Sequence, residues 1–221
     1  MAQFKGVAMR LIRQFSLCLL VLLLVVSIAR AQIILPDPYY SICWTEYSGG
    51  EAVGVMVQPD GYGSRFDQAR VLSEGVVDAT IHVILLDSFG YPFANIPRED
   101  MWLESLDSHF VLCPGGSIAD TNTDQNGEST WVLPLRAGGF SEDLTQVYVM
   151  GWALASTAGL NVHFNSPDIN GDRDVDLSDV VLLAEDLYGG VYRFRSDLWY
   201  DGDINLSDIA TFAEGFGAEC P

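Results

Sequence analysis

Near its C-terminal end the chain writes the same pattern twice, 29 residues apart. The first copy reads Asp168-Ile-Asn170-Gly-Asp172-Arg-Asp174-Val-Asp176-Leu-Ser-Asp179, followed by the run Val180-Val181-Leu182-Leu183-Ala184-Glu185. The second reads Asp197-Leu-Trp199-Tyr-Asp201-Gly-Asp203-Ile-Asn205-Leu-Ser-Asp208, followed by Ile209-Ala210-Thr211-Phe212-Ala213-Glu214. Superposing them aligns acid with acid and apolar with apolar. An internal repeat constrains the fold more than composition does, because each copy must form one supersecondary unit that packs against the other.

Oxygen-bearing side chains at alternate positions, ending at a helix, suit a hard divalent cation. Ca²⁺ takes about six to eight oxygens, and a twelve-residue loop can supply them from positions one, three, five, seven, nine and twelve. In the first copy these are Asp168, Asn170, Asp172, the carbonyl of Asp174, Asp176 and Asp179. In the second they are Asp197, Asp201, the carbonyl of Asp203, Asn205 and Asp208, with Trp199 at position three, where it has no oxygen to give. Val175 falls at the eighth position of the first loop, where an apolar side chain can turn inward and tie the loop to a core. Ser178 and Asp179 open the following helix, where acceptors and negative charge are favoured. Two Ca²⁺ sites are expected, the second weaker because it offers one ligand and one charge fewer. Against that, Arg173 stands where the sharp turn favours glycine, and Gly202 relieves the second loop of that strain.

With these residues in view, residues 166–217 resemble a type I dockerin. The resemblance implies two calcium loop–helix halves packed about a pseudo-twofold axis. It also implies a cohesin-type protein module as partner, with Leu177, Ser178, Leu206 and Ser207 at the contact. Arg173 and Trp199 depart from the family pattern. Helices are expected over residues 177–187 and 206–216. Val180, Leu183 and Leu187 on one, and Ile209, Phe212 and Phe216 on the other, recur at helical spacing, so the two faces should meet.

The chain begins as a targeting segment. Lys5, Arg10 and Arg13 precede the apolar run 15–28, and Ala29-Arg30-Ala31 follows as a cleavage pattern. Residues 1–31 are therefore read as a signal peptide, the mature protein as secreted or surface-bound, and no membrane insertion is expected after cleavage. Cleavage removes four basic residues (Lys5, Arg10, Arg13, Arg30) and no acid, leaving seven Lys and Arg against thirty Asp and Glu, a formal charge of −23. Such a charge excludes a nucleic-acid or anionic-membrane partner on electrostatic grounds.

Residues 32–165 read as all-β. Apolar or alternating runs at 52–57, 79–86, 101–106, 110–113, 130–135, 146–152 and 160–164 are separated by Gly, Pro, Asn and Asp. About seven strands with this punctuation suggest a sandwich. The pieces 78–92 and 123–130 resemble bacterial Ig-like domains of the invasin type. The fold class expected is thus mainly β, an Ig-like β-sandwich, plus a small α-helical dockerin-like module over 166–221. Only Asn165-Ser166-Pro167 separates the two, so the module should sit against the sandwich.

Three cysteines survive cleavage: Cys43, Cys113 and Cys220. They allow one bridge and one leftover thiol, and sequence does not choose; Cys43–Cys113 is favoured because both lie in one expected domain. Residues 120–127 also alternate oxygens, but as a calcium loop their twelfth position would be Trp131, so Asn126-Gly127 is read as a tight turn. No catalytic motif is apparent. Glu99-Asp100 and Glu142-Asp143 read as solvated turns, and His82, His109 and His163 as packed or surface residues. The chain is read as non-enzymatic; a small carbohydrate-active enzyme or sugar-binding module carrying a dockerin-like tag is the weaker alternative. An aromatic-lined groove on the sandwich with paired carboxylates would revive it, and a filled sandwich with no cleft would end it.

Overall fold

The computed structural model describes residues 35–221, so the segment 1–31, expected to be a signal peptide, lies outside the described residues. Twelve short strands form four sheets. The first pairs β1 (Ile42–Thr45), β5 (Ile81–Ile84) and β8 (Glu128–Trp131), with β5 in the middle. The second contains β6 (Met101–Ser105), β10 (Thr145–Val149) and β11 (Trp152–Ala153), with β10 central. The third runs β12 (Val162–Asn165), β2 (Val53–Met56), β3 (Ala69–Val71) and β4 (Gly75–Val77). The fourth pairs β7 (Phe110–Leu112) with β9 (Ala137–Gly139). All pairs are antiparallel except β12 with β2.

Period-two alternation builds the core. In β5, Ile81 and Val83 are buried while His82 and Ile84 are only partly so, and β10 alternates likewise through Thr145, Val147 and Val149. β12 and β2 show little alternation because both faces are covered. One apolar cluster runs through these sheets and is centred on Trp131, Phe66, Phe164, Leu85, Met101 and Leu103. The buried Trp131 indole donates to the Ser117 carbonyl at 2.9 Å, which removes the penalty of an unpaired buried N–H.

The strand count exceeds the seven runs expected. The three-residue strands β3, β4 and β9 are too short to show a period in sequence, and β11 has two residues. The run 130–135 is cut at Trp131 on the way to Pro134, which has no N–H for a ladder. Asn126-Gly127 is a turn: Gly127 has φ 76°, and the Asp124 carboxylate accepts from the Asn126 and Glu128 amides.

Two α-helices follow the strands, α1 (Leu177–Gly189) and α2 (Leu206–Gly215). They enclose a second, small cluster of Ile169, Val175, Leu183, Leu198, Phe212 and Ala218. The expected helix–helix faces are therefore narrower than their periodicity. Leu183 and Phe212 are buried there, whereas Val180, Ile209 and Phe216 remain exposed. The cause is that loop residues and the C-terminal Ala218 fill the space the helix flanks were expected to fill.

The favoured Cys43–Cys113 bridge is not formed. Cys113 bonds Cys220, with Cα atoms 5.7 Å apart, and Cys43 is a free, buried thiol. Cys43 lies on β1 inside the main core, whereas Cys113 follows β7 in the two-stranded sheet, beside the helical region. The C-terminal tail reaches it by pairing with the first repeat: Val175 donates to the Ala218 carbonyl at 2.9 Å and Cys220 to the Arg173 carbonyl at 3.2 Å.

Candidate metal-binding loops

Both repeats begin where the sheet ends. β12 closes with Asn165, and Ser166, Pro167 and Asp168 continue it without leaving the interior; Ser166 and Asp168 are fully buried. The Asp168 carbonyl accepts from the Gly139 amide at 2.6 Å, so loop one is stitched to β9. A Cβ on Gly138 would strike the Asp168 carboxylate, which explains a glycine inside a strand. Loop two is attached through other contacts. The Asn165 side-chain Nδ2 donates to the Asp197 carbonyl, the Tyr200 hydroxyl donates to the Ala52 carbonyl at 3.2 Å, and the Tyr200 ring fills the space a side chain on Gly54 would need. The short linker thus leaves the repeats packed against the sheets, as its length implied.

The two loops share one hydrogen-bond plan. Asp168 accepts from Gly171 (2.8 Å) and Asp172 (3.1 Å) with Oδ1, and from Arg173 (2.8 Å) with Oδ2. Asp197 accepts from Asp201 (3.0 Å) and Gly202 (2.9 Å) in the equivalent way. At the twelfth position, Asp179 accepts from Asn170 and Asp176, and Asp208 from Trp199 and Asn205, all main-chain amides at 2.8–3.1 Å. The ninth residues cap the helices: Asp176 accepts from Ser178 and Asn205 from Ser207, each within a reciprocal capping box. That reciprocity satisfies amides a helix start otherwise leaves open, typically contributing ~1 kcal/mol.

Electrostatics separate these aspartates from ordinary turn residues. Asp168, Asp179, Asp197 and Asp208 are all fully buried, and among the described residues none has a Lys, Arg or His partner. Burial pushes the Asp168 carboxyl up to about 6, with the loop amides pulling it back and the Asp179 and Asp172 charges adding to the rise. Asp179, Asp197 and Asp208 are raised for the same leading reason. Buried charge without a counter-charge is costly. A divalent cation among these oxygens would supply it, so the donor set fits Ca²⁺ by charge and by oxygen chemistry.

The predicted ligands are not all gathered. Among the described residues no three His, Cys, Asp or Glu side chains already converge on one point. Positions one and twelve of each loop are turned inward, but Asn170, Asp172, Asp174, Asp176, Asp201 and Asp203 are exposed and Asn205 half-buried. Asp172 accepts instead from the Asn170 side chain and the Asp174 amide, and Asn205 donates weakly to Asp201. Asp174, named for its carbonyl, pairs through its backbone with Glu219. Leu177 and Leu206 project to solvent at 71% and 80% exposure; Ser178 is exposed and Ser207 half-buried.

Two residues of loop two, and Tyr192 just before it, carry roles that the ligand pattern did not reveal. Trp199 at position three lies under the Arg70 guanidinium of β3, 4.3 Å from the ring centroid. Its substitution for a ligand is explained by this stack, worth about 0.5–2 kcal/mol. Tyr200 adopts φ 51° at position four, where loop one has Gly171 at φ 73°. Arg173 at position six has φ 82° where loop two has Gly202 at φ 88°, so each loop holds one non-glycine residue in the left-handed region. The Tyr192 hydroxyl donates to Asp197 Oδ2 at 2.9 Å, and burial first, then the Asp197 charge, raises the phenol strongly. An aromatic in a ligand slot was the one sequence signal for any of this.

The remaining polar candidates lie elsewhere. His82 sits between Glu46 and Glu128 at 3.1 Å from each and stacks on Trp44, and His109 bonds Asp107 at 2.7 Å. Glu99 pairs with Arg98 in a short helical turn.

No family model matches the chain, and no curated protein matches it. Among solved structures, the Lin-41 filamin domain aligns with 57% of this chain and 95% of its own, at 15% identity and a TM-score of 0.28. A likeness of that strength carries no argument. What the structure itself defines is, among the described residues, a mainly β architecture with two short α-helices, each entered through an acidic loop.

Proposed function

We propose that this is an exported, non-enzymatic protein in which an Ig-like β-sandwich carries a dockerin-like module with two calcium loops, and that the module attaches the protein to a cohesin-type partner. The observation that carries the reading is the pair of matched loops, each holding two fully buried aspartates without a cationic partner directly before a capped helix. Ca²⁺ would be held in loop one by Asp168, Asn170, Asp172, Asp174, Asp176 and Asp179, and in loop two by Asp197, Asp201, Asp203, Asn205 and Asp208. Bound there it would neutralise the buried carboxylates and pre-order the helix entrances. Leu177 and Leu206, with Val180, Val181 and Ile209 beside them in sequence, leave an apolar surface on the helices that a partner would cover.

A second reading, that calcium only stabilises a surface protein, is favoured by a specific observation. Loop one is hydrogen-bonded to β9, loop two to Asn165 of β12 and to Ala52 ahead of β2 with Trp199 stacked under Arg70 of β3, and the tail is bonded to Cys113, so the module is fastened rather than presented on a tether. The test is capture of the mature chain by a panel of cohesin modules in calcium and in chelator, alongside a Leu177→Asp/Leu206→Asp variant. Calcium-dependent capture lost in the variant, with its calcium-dependent melting unchanged, supports attachment. Calcium-dependent melting with no capture supports the structural reading.

A further inference from the structure

A cleft of roughly 330 Å³ opens between the third sheet and loop two. It lies outside the calcium ladder, although Trp199 and Tyr200 form one of its walls. Arg70 of β3 supplies the charge. In a chain so rich in acids, Arg65, Arg98 and Arg195 each pair with a carboxylate, yet Arg70 makes no ion pair among the described residues. Its Nε is buried without a hydrogen-bond partner, while the guanidinium carbon lies over the Trp199 ring, 4.3 Å from the centroid. An arginine fixed in this way is pre-organised for a carboxylate, because its planar fork has already lost most of its freedom. Tyr62 lines the cleft with 83% of its surface exposed, which leaves its ring free to be covered by a ligand. Gln68 and Glu214 add an amide and a carboxylate to the lining.

We infer that this cleft binds a small hydroxylated carboxylate of the sugar-acid class, a uronate or a terminal uronic-acid residue. The chemistry assigns each part. The carboxylate meets the Arg70 terminal nitrogens in a charge-assisted pair. The apolar face of the sugar ring lies on Tyr62, and ring hydroxyls donate to Glu214 and exchange hydrogen bonds with Gln68. A simple anion leaves the Tyr62 ring uncovered, and a second charge beside Glu214 is repelled. The size matches one sugar ring with room for a neighbour. Because the wall is loop two, the ligand would also read the order of that loop.

The test is titration of the mature chain, in calcium, with galacturonate, glucuronate, glucose and acetate, followed by backbone amide shifts. Both uronates are expected to saturate with shifts centred on β3 and residues 198–200, and glucose and acetate to bind about tenfold more weakly or worse. Arg70→Gln is expected to weaken galacturonate about tenfold or more, and Tyr62→Ala, at an exposed position, to weaken it severalfold with unchanged melting. Should Arg70→Gln disturb the sheet, the Tyr62→Ala result and the uronate-to-glucose ratio decide. No saturable uronate binding at millimolar concentration, equal binding of glucose or acetate, or binding indifferent to Tyr62→Ala overturns the inference.

Discussion

Loop one and loop two have the same backbone plan and different neighbours. In loop one every ligand position has its oxygen, and the main chain is held by β9 on one side and by the disulfide-tied tail on the other. In loop two position three is Trp199, drawn onto Arg70, position four is Tyr200, packed over Gly54, and Tyr192 already occupies Asp197. The difference is one copy of the repeat with an oxygen at every ladder position and another that gives positions three and four to packing on the sheet. It also removes backbone strain as a reason to rank the loops, since Arg173 and Tyr200 each hold one left-handed residue. Ligand count is left to decide, and it favours loop one.

The largest effect should come from cutting the tail. The Cys113–Cys220 bridge spans 107 residues, and opening a loop of that length typically lowers stability by about 2–5 kcal/mol. Because the tail pairs with residues 173 and 175, a Cys113→Ser/Cys220→Ser variant should also lose calcium affinity at the tighter site and leave the weaker site nearly unchanged. Denaturant melts with parallel calcium titrations check both parts. Equal weakening of the two sites would break the comparison.

Next in size is the response to pH. The Asp168 carboxyl is raised from 3.8 to about 6 in the fold, so the folded chain binds this proton more tightly than the unfolded chain. In chelator, stability should therefore rise as pH falls from 7 towards 5, on the order of 1–3 kcal/mol, because the folded state holds the extra proton. With calcium the sign reverses, since protons then compete with the ion for the same oxygens. Thermal melts across pH 5–7.5 in the two conditions should cross. Parallel curves would mean that Asp168 does not hold the metal.

A Trp199→Asp substitution should give loop two its missing oxygen. The weaker site is expected to tighten about tenfold as ligand charge increases, while the lost stack on Arg70 lowers stability by about 0.5–2 kcal/mol. Calorimetry and melting separate the two effects. The smallest change should follow Arg173→Gly, which relieves a left-handed arginine and should stabilise the fold by about 1 kcal/mol; the same exchange at Tyr200 should destabilise it, because that ring is packed and its hydroxyl bonded.

Much of this was legible in the residues, and the reasons for the rest are local. The repeat register, both helix starts and the position-six strain could be read because ligand spacing, capping and glycine preference act within a dozen residues. The main strands could be read where alternation ran four residues or more. What could not be read were partners distant in sequence: Cys220 beside Cys113, Arg70 over Trp199, Tyr192 on Asp197. The free Cys43 shows the same limit, since two cysteines in one expected domain can lie in different sheets. The helix faces were overestimated because nothing in 177–216 announces that Ala218, beyond the repeats, takes a share of the small core.

We propose above that each loop binds calcium and that loop one binds it more tightly. Calcium calorimetry on the mature chain and on its Asp168→Ala and Asp197→Ala variants tests this directly. Two sites are expected in the parent chain, with loss of the tighter one in Asp168→Ala and loss of the weaker one in Asp197→Ala. Loss of the tighter site in Asp197→Ala would contradict the ranking, and no calcium heat in the parent chain would contradict the metal reading itself.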